Sequence, residues 1–245
     1  MKYAKRALTV DEQADRLLGR GLVADRDELS ARLRSVSYYR LNGYWYPFRL
    51  SDDSLVEGTT LEAVWRRYTF DRQFRLLVLD ATERVEICVR TELVYTLAHA
   101  QGPFGYCDAA NLPNLSAESY ADFIDKLDAE CSRSHEPVIE HFCEKYGSEH
   151  DRPPCLMVTE PMTFGMLLSL FRGSPTSVKQ NIARRFGVSG EVLMSWLRAL
   201  NGVRNTCAQH GASGTGNLAS SRRYPTRMLA GVTRWRCRTT GLSAS

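Results

Sequence analysis

A chain of 245 residues, 43% hydrophobic and 24% charged, can build a proper apolar core and falls outside the compositions of disordered and membrane-spanning chains. The formal net charge of +4 comes from the C-terminal end, where Arg222, Arg223, Arg227, Arg234, Arg236 and Arg238 stand among no acidic residues. Without those six, 26 basic residues face 28 acidic ones, so the main body is not basic and charge alone gives no case for nucleic-acid binding.

The N-terminus, Met1-Lys2-Tyr3-Ala4-Lys5-Arg6, leads into an amphipathic stretch rather than the apolar core of a signal peptide. No run approaches the roughly 18 apolar residues needed to cross a bilayer, and a cytoplasmic protein without membrane partners is expected. Thr9-Val10-Asp11-Glu12 fits a capping box, in which a hydroxyl satisfies free backbone N–H groups and a carboxylate reaches back. Leu17, Leu18, Leu29 and Leu33 give apolar faces to two short helices. Six aromatics then crowd residues 38–48, with Gly43 and Pro47 breaking any long helix there. Core or dimer packing is the expected role of this block, and Arg40 within it is expected to pair with a carboxylate.

Thr59-Thr60-Leu61-Glu62 gives a second capping signal and opens the longest helical region, about 60–100. Val64, Trp65, Tyr68, Leu77, Val85, Cys88, Val89 and Leu97 keep its helical period. Gly102-Pro103 stops it, and a loop rich in Asn and Pro follows. Helices are expected near 117–132 and 135–146, and, after the linker Asp151-Arg152-Pro153-Pro154, at about 163–172, 176–186 and 190–209. Ser174 and Ser189 are the expected caps of the last two. Phosphate-loop and nucleophile-elbow patterns, alternating strands and internal repeats are all missing. The fold class is mainly α, a helical bundle.

The seven cysteines, at 88, 107, 131, 143, 155, 207 and 237, are odd in number and contain no Cys-x-x-Cys pair, which reads as reduced, mostly buried thiols and not a disulfide framework. Cys131, His135, His141 and Cys143 are the one cluster of metal-like composition. Their spacing matches no standard zinc site, so helical packing is expected, with no metal or organic cofactor.

Four blocks together resemble the abortive-infection (Abi-like, AbiD/AbiF type) family. They are Tyr38-Tyr39-Arg40-Leu41-Asn42-Gly43-Tyr44-Trp45; Tyr68-Thr69-Phe70-Asp71-Arg72 continuing to Glu83-Arg84-Val85-Glu86-Ile87 and Arg90; Glu160-Pro161-Met162-Thr163-Phe164-Gly165; and Ser195-Trp196-Leu197 followed by Val203-Arg204-Asn205-Thr206-Cys207-Ala208-Gln209-His210. They stand in the family's order across residues 8–210. The family is similar to the HEPN superfamily of helical bundles, many of them metal-independent ribonucleases that use an Arg and a His four to six residues apart. The chain is read as three regions: N-terminal helices with the aromatic segment (1–58), the HEPN-like core that the resemblance implies (59–210) and a tail (211–245) that is irregular and arginine-rich by its own composition.

Arg204, Asn205 and His210 are the catalytic set implied by that resemblance. The chemistry suits them: a histidine titrating near neutrality can take the 2′-hydroxyl proton of RNA, and an arginine can fork onto the charged phosphate. Asn205 would orient either group or a phosphate oxygen. Six positions on an ideal helix turn the two side chains roughly 120° apart. Either the helix ends or distorts before His210, or a second subunit completes the site; the resemblance implies a homodimer. Where the family usually reads Cys-Ala-His-His, this chain reads Cys207-Ala208-Gln209-His210. Glu83, Glu86 and Arg90 lie at helical spacing and read as an ion-pair ladder, with Glu86 facing the Arg204 helix as the functional alternative.

The family pattern continues past its histidines with Arg-x-Trp-Asn-Arg. A permitted codon set for Gly211 to Asn217, read from the third base of the Gly211 codon, gives Arg-Val-Trp-Asn-Arg-Glu. The tail is therefore read as out of frame after a one-base deletion; if the frame is genuine, its arginines form a phosphate-binding segment. The leading functional reading is an antiphage ribonuclease with RNA as substrate, released by a phage-derived trigger or restrained by an antitoxin. The alternatives are a non-catalytic RNA- or protein-binding helical module, and a decayed copy.

Overall fold

The computed structural model describes residues 6–209. The described residues are all-α, with ten α-helices, short 3-10 turns and two isolated β-bridges. They fall into two compact units, one of residues 6–79 with 206–209, the other of residues 80–205.

The first unit starts with α1 (Val10–Gly19), capped as its sequence directs. The Thr9 hydroxyl accepts from the Glu12 N–H at 3.2 Å, and the Thr9 N–H donates to the Glu12 carboxylate at 2.8 Å. Asp25 caps α2 (Arg26–Val36) by accepting from the Glu28 N–H at 2.8 Å. Ser37 then takes φ of 72°, a left-handed conformation that ends one helix and redirects the chain into the next. That next helix, α3 (Tyr38–Trp45), accommodates Gly43, and a 3-10 turn over Tyr46–Phe48 receives Pro47. The aromatic block is thus more helical than its Gly and Pro suggest: glycine weakens a helix by only about 1 kcal/mol, less than the burial of Leu41, Tyr44 and Trp45 returns. These three join Ala14, Leu17, Leu29, Leu33, Leu61 and Val64 in one core.

The helix α4 (Leu61–Gln101) is 41 residues long. Thr60 caps it, accepting from the Ala63 N–H at 3.1 Å. Its residues from Asp80 onward belong to the second unit, along with α5 (Ala117–Arg133), α6 (Pro137–Tyr146), α7 (Cys155–Val158), α8 (Phe164–Gly173) and α9 (Thr176–Arg185). The helix α10 (Gly190–Ala208) belongs to it as far as Asn205. Pro175 stands at the N-cap of α9; the Ser174 hydroxyl, expected to cap it, instead donates back to the Leu170 carbonyl at 2.7 Å. Ser189 caps α10 as expected, accepting from the Val192 N–H at 3.3 Å.

The core of this second unit gathers Val89, Leu93 and Leu97 of α4, Phe123 and Leu127 of α5, and Leu193 and Leu197 of α10 around α8. The helix α8 is apolar on nearly all sides and buries six of its ten residues, as a central helix must. Gly173 lies so close to Leu115 that a Cβ there would sit 2.8 Å from the leucine Cγ. No described helix is long and apolar enough to cross a membrane.

Candidate functional site

Arg204 and Asn205 lie on the penultimate turn of α10. Arg204 is half-buried and Asn205 exposed, and the guanidinium Nη1 lies 3.4 Å from the Asn205 side-chain oxygen. That contact is long for a hydrogen bond. A helix C-terminus carries partial negative charge and repels phosphate, so a phosphate bound here needs a cation on the helix itself. The helix ends at Ala208, and Gln209 is in a turn. His210 lies outside the described residues.

Cys207, between Arg204 and His210 in sequence, is buried. Burial pushes its thiol up; Arg75 pulls it down and Asp71 adds to the rise. Those two belong to a buried polar cluster in the first unit. The Tyr44 hydroxyl donates to Asp71 Oδ2 at 2.6 Å, and the Arg75 guanidinium donates to the same oxygen. Both charged side chains are about nineteen-twentieths covered. Burial, and after it the bond to Asp71, raises the Tyr44 hydroxyl to about 12. For Arg75, burial lowers the pKa, but Tyr44 and Asp71 outweigh it and the net change is upward. Tyr44 comes from the first sequence block, Asp71 from the second and Cys207 from the fourth. Arg75 was missed by sequence reasoning: an Asp and an Arg four apart look like a solvated helix pair, and only packing reveals the burial.

The second and third blocks meet in the other unit. The Arg90 guanidinium holds Glu86 at 2.8 Å and donates to the Met162 carbonyl at 2.9 Å and the Glu160 carbonyl at 3.4 Å. Arg90 therefore ties α4 to the turn before α8, and Glu86 serves as its counter-ion, which is the ion-pair reading of that pair. Glu83 is exposed. Of the aromatic block, Leu41, Tyr44 and Trp45 are buried and Tyr39 and Tyr46 exposed. Most of the four-block pattern thus describes scaffold, and Arg204 and Asn205 are its solvent-facing polar pair near the end of α10.

Among the described residues no group of three or more His, Cys, Asp or Glu side chains is placed to hold a metal ion. In the Cys131–Cys143 segment, burial pushes the Cys131 thiol up to about 11, and His135 faces Glu140 at 3.5 Å.

The sequence pattern of a family described as Abi-like protein matches residues 31–212 of the chain. Nothing among the curated proteins and nothing among the solved structures matches it.

Proposed function

The chain belongs to the Abi-like protein family, and on that premise we propose that it is an antiphage abortive-infection protein acting as a metal-independent, HEPN-type endoribonuclease. In this reading the His210 imidazole takes the proton from an RNA 2′-hydroxyl. The 2′-oxygen attacks the adjacent phosphorus, the bond to the 5′-oxygen breaks, and that oxygen takes up a proton from water while His210 returns its own to solvent. Arg204 stabilises the charge that builds on the non-bridging oxygens, and Asn205 orients the guanidinium. The products are a 2′,3′-cyclic phosphate and a 5′-hydroxyl end.

The observation that carries the reading is the placement of Arg204 and Asn205. Both are accessible near the end of a helix that stops two residues before His210 in sequence, inside the family-matched region. Unrestrained cleavage would stop the host's own growth, so a phage-derived trigger or an antitoxin partner in the cytoplasm belongs to the proposal. The test is cleavage of a labelled RNA in EDTA by the wild type, Arg204→Ala and His210→Ala. Cleavage confined to the wild type, with cyclic phosphate ends, supports the reading; equal cleavage by all three removes the site.

Gln209, standing where the family usually has its first histidine, favours a second reading as a non-catalytic RNA-binding module. That protein would bind RNA without cutting it, with affinity falling steeply as salt rises.

A further inference from the structure

The helix α4 carries an exposed apolar strip that no described core accounts for. Phe70 and Leu77 are 58% and 70% exposed, and Phe74 between them is half-buried. The Phe70 and Phe74 rings lie parallel, 6.1 Å apart and 7° from coplanar. Phe70, Phe74, Leu77 and Ala81 follow the four-three-four spacing that lines one side of a helix for pairing with another helix. A single exposed leucine needs no explanation, but exposed Phe70 and Leu77 on one side of a helix with Phe74 between them mark a contact surface.

The edge of this strip carries a charge pattern that selects the partner. Arg66, Gln73 and Asp80 recur at intervals of seven along α4. Arg66 and Asp80 lie about 21 Å apart on the helix axis, with Gln73 midway. A second copy laid antiparallel, with a two-fold axis at Gln73, brings each Arg66 opposite the partner subunit's Asp80 and closes Phe70, Phe74 and Leu77 against their counterparts. The pattern is complementary to itself, as an interface between identical subunits has to be. Arg66 now pairs with Glu62 at 2.7 Å and Asp80 with Arg84 at 3.2 Å, all four side chains well exposed. Such surface pairs hold little energy and exchange readily.

We propose that α4 pairs antiparallel with α4 of a second copy through Phe70, Phe74 and Leu77, with Arg66 and Asp80 setting the register. This pairing does not depend on whether Arg204 and His210 cut RNA.

Sedimentation equilibrium of the full chain over a concentration series tests it. The wild type is expected to dimerise, and Leu77→Asp to weaken association at least roughly ten-fold, the scale of an interface hot spot, with its helical circular dichroism and melting temperature unchanged. Arg66→Asp and Asp80→Arg are each expected to weaken self-association, whereas an equimolar mixture of the two forms a heterodimer, because both cross-pairs are then oppositely charged. A wild type that stays monomeric at about 100 μM, far above the Kd of a specific dimer, overturns the proposal. So does a dimer that Leu77→Asp leaves intact. A mixture that associates no better than its components removes the antiparallel register.

Discussion

The hydroxyl of Tyr44 donates to the carboxylate of Asp71 across 2.6 Å inside the first unit, where both residues are almost wholly buried. A tyrosine in an aromatic helix and an aspartate on the longest helix are thereby tied together, and Arg75 completes the group. Burying an ion pair rarely adds stability over an apolar replacement, but removing one partner leaves an uncompensated charge. The cluster therefore acts as a fixed joint between α3 and α4.

Asp71→Ala removes the buried carboxylate that the Arg75 guanidinium and the Tyr44 hydroxyl share and is expected to cost about 3–5 kcal/mol. Tyr44→Phe deletes one bond to a charged group and is expected to cost about 1.5–3 kcal/mol. Urea unfolding followed by tryptophan fluorescence reads both, since Trp45 lies in the same core. Equal, small losses in the two variants would show the cluster to be hydrated rather than buried.

The same hydroxyl gives a pH signature. The Tyr44 pKa rises from 10.0 to about 12 through burial first and the Asp71 bond second. In the unfolded chain the phenol loses its proton near pH 10, while in the folded protein it keeps it until about 12. A raised folded pKa leaves the stabilisation intact below pH 10 and removes it as pH climbs from 10 to 12. The displacement corresponds to on the order of 2 kcal/mol at the upper end of that window. Stability of the wild type should fall more steeply there than that of Tyr44→Phe, and parallel profiles would contradict the assignment.

Gly173, the last residue of α8, faces Leu115 and Leu112. An added Cβ would lie 2.8 Å from Leu115 Cγ and 3.3 Å from Leu112 Cβ. Gly173→Ala is expected to destabilise by roughly 1–3 kcal/mol despite alanine's better helix propensity. A thermal melt that rises instead would show that the Leu112–Leu115 loop can give way.

Helix positions were legible because apolar period and caps coincide. The Thr9–Glu12 box and the Ser189 cap do what their spacing indicates, and the region expected at 60–100 is α4 at Leu61–Gln101. The break of any long helix expected over 38–48 falls where α3 gives way to the 3-10 turn at Pro47, whereas the short helix over Tyr38–Trp45 itself was not legible, because the gain from burying Tyr44 and Trp45 is a tertiary effect. The buried Asp71–Arg75 pair was hidden for the same reason, since its spacing matches the exposed Glu62–Arg66 and Asp80–Arg84 pairs on the same helix. At the candidate site, Arg204 and Asn205 were readable as residue types at a recognisable spacing. The end of α10 at Ala208 lies one residue from the expected 190–209; the neighbourhood of Cys207 with Asp71 and Arg75 came only from the fold.

The most direct measurement is RNA cleavage in EDTA by the full chain and its Arg204→Ala and His210→Ala variants, with the product ends identified. Arg204 is partly exposed, so its replacement should change folding stability by no more than about 0.5 kcal/mol, and lost activity would report chemistry. The account predicts 2′,3′-cyclic phosphate ends from the wild type and no cleavage from either variant. Undiminished cleavage in the variants, or a folded wild type that binds RNA and leaves it whole, would contradict it.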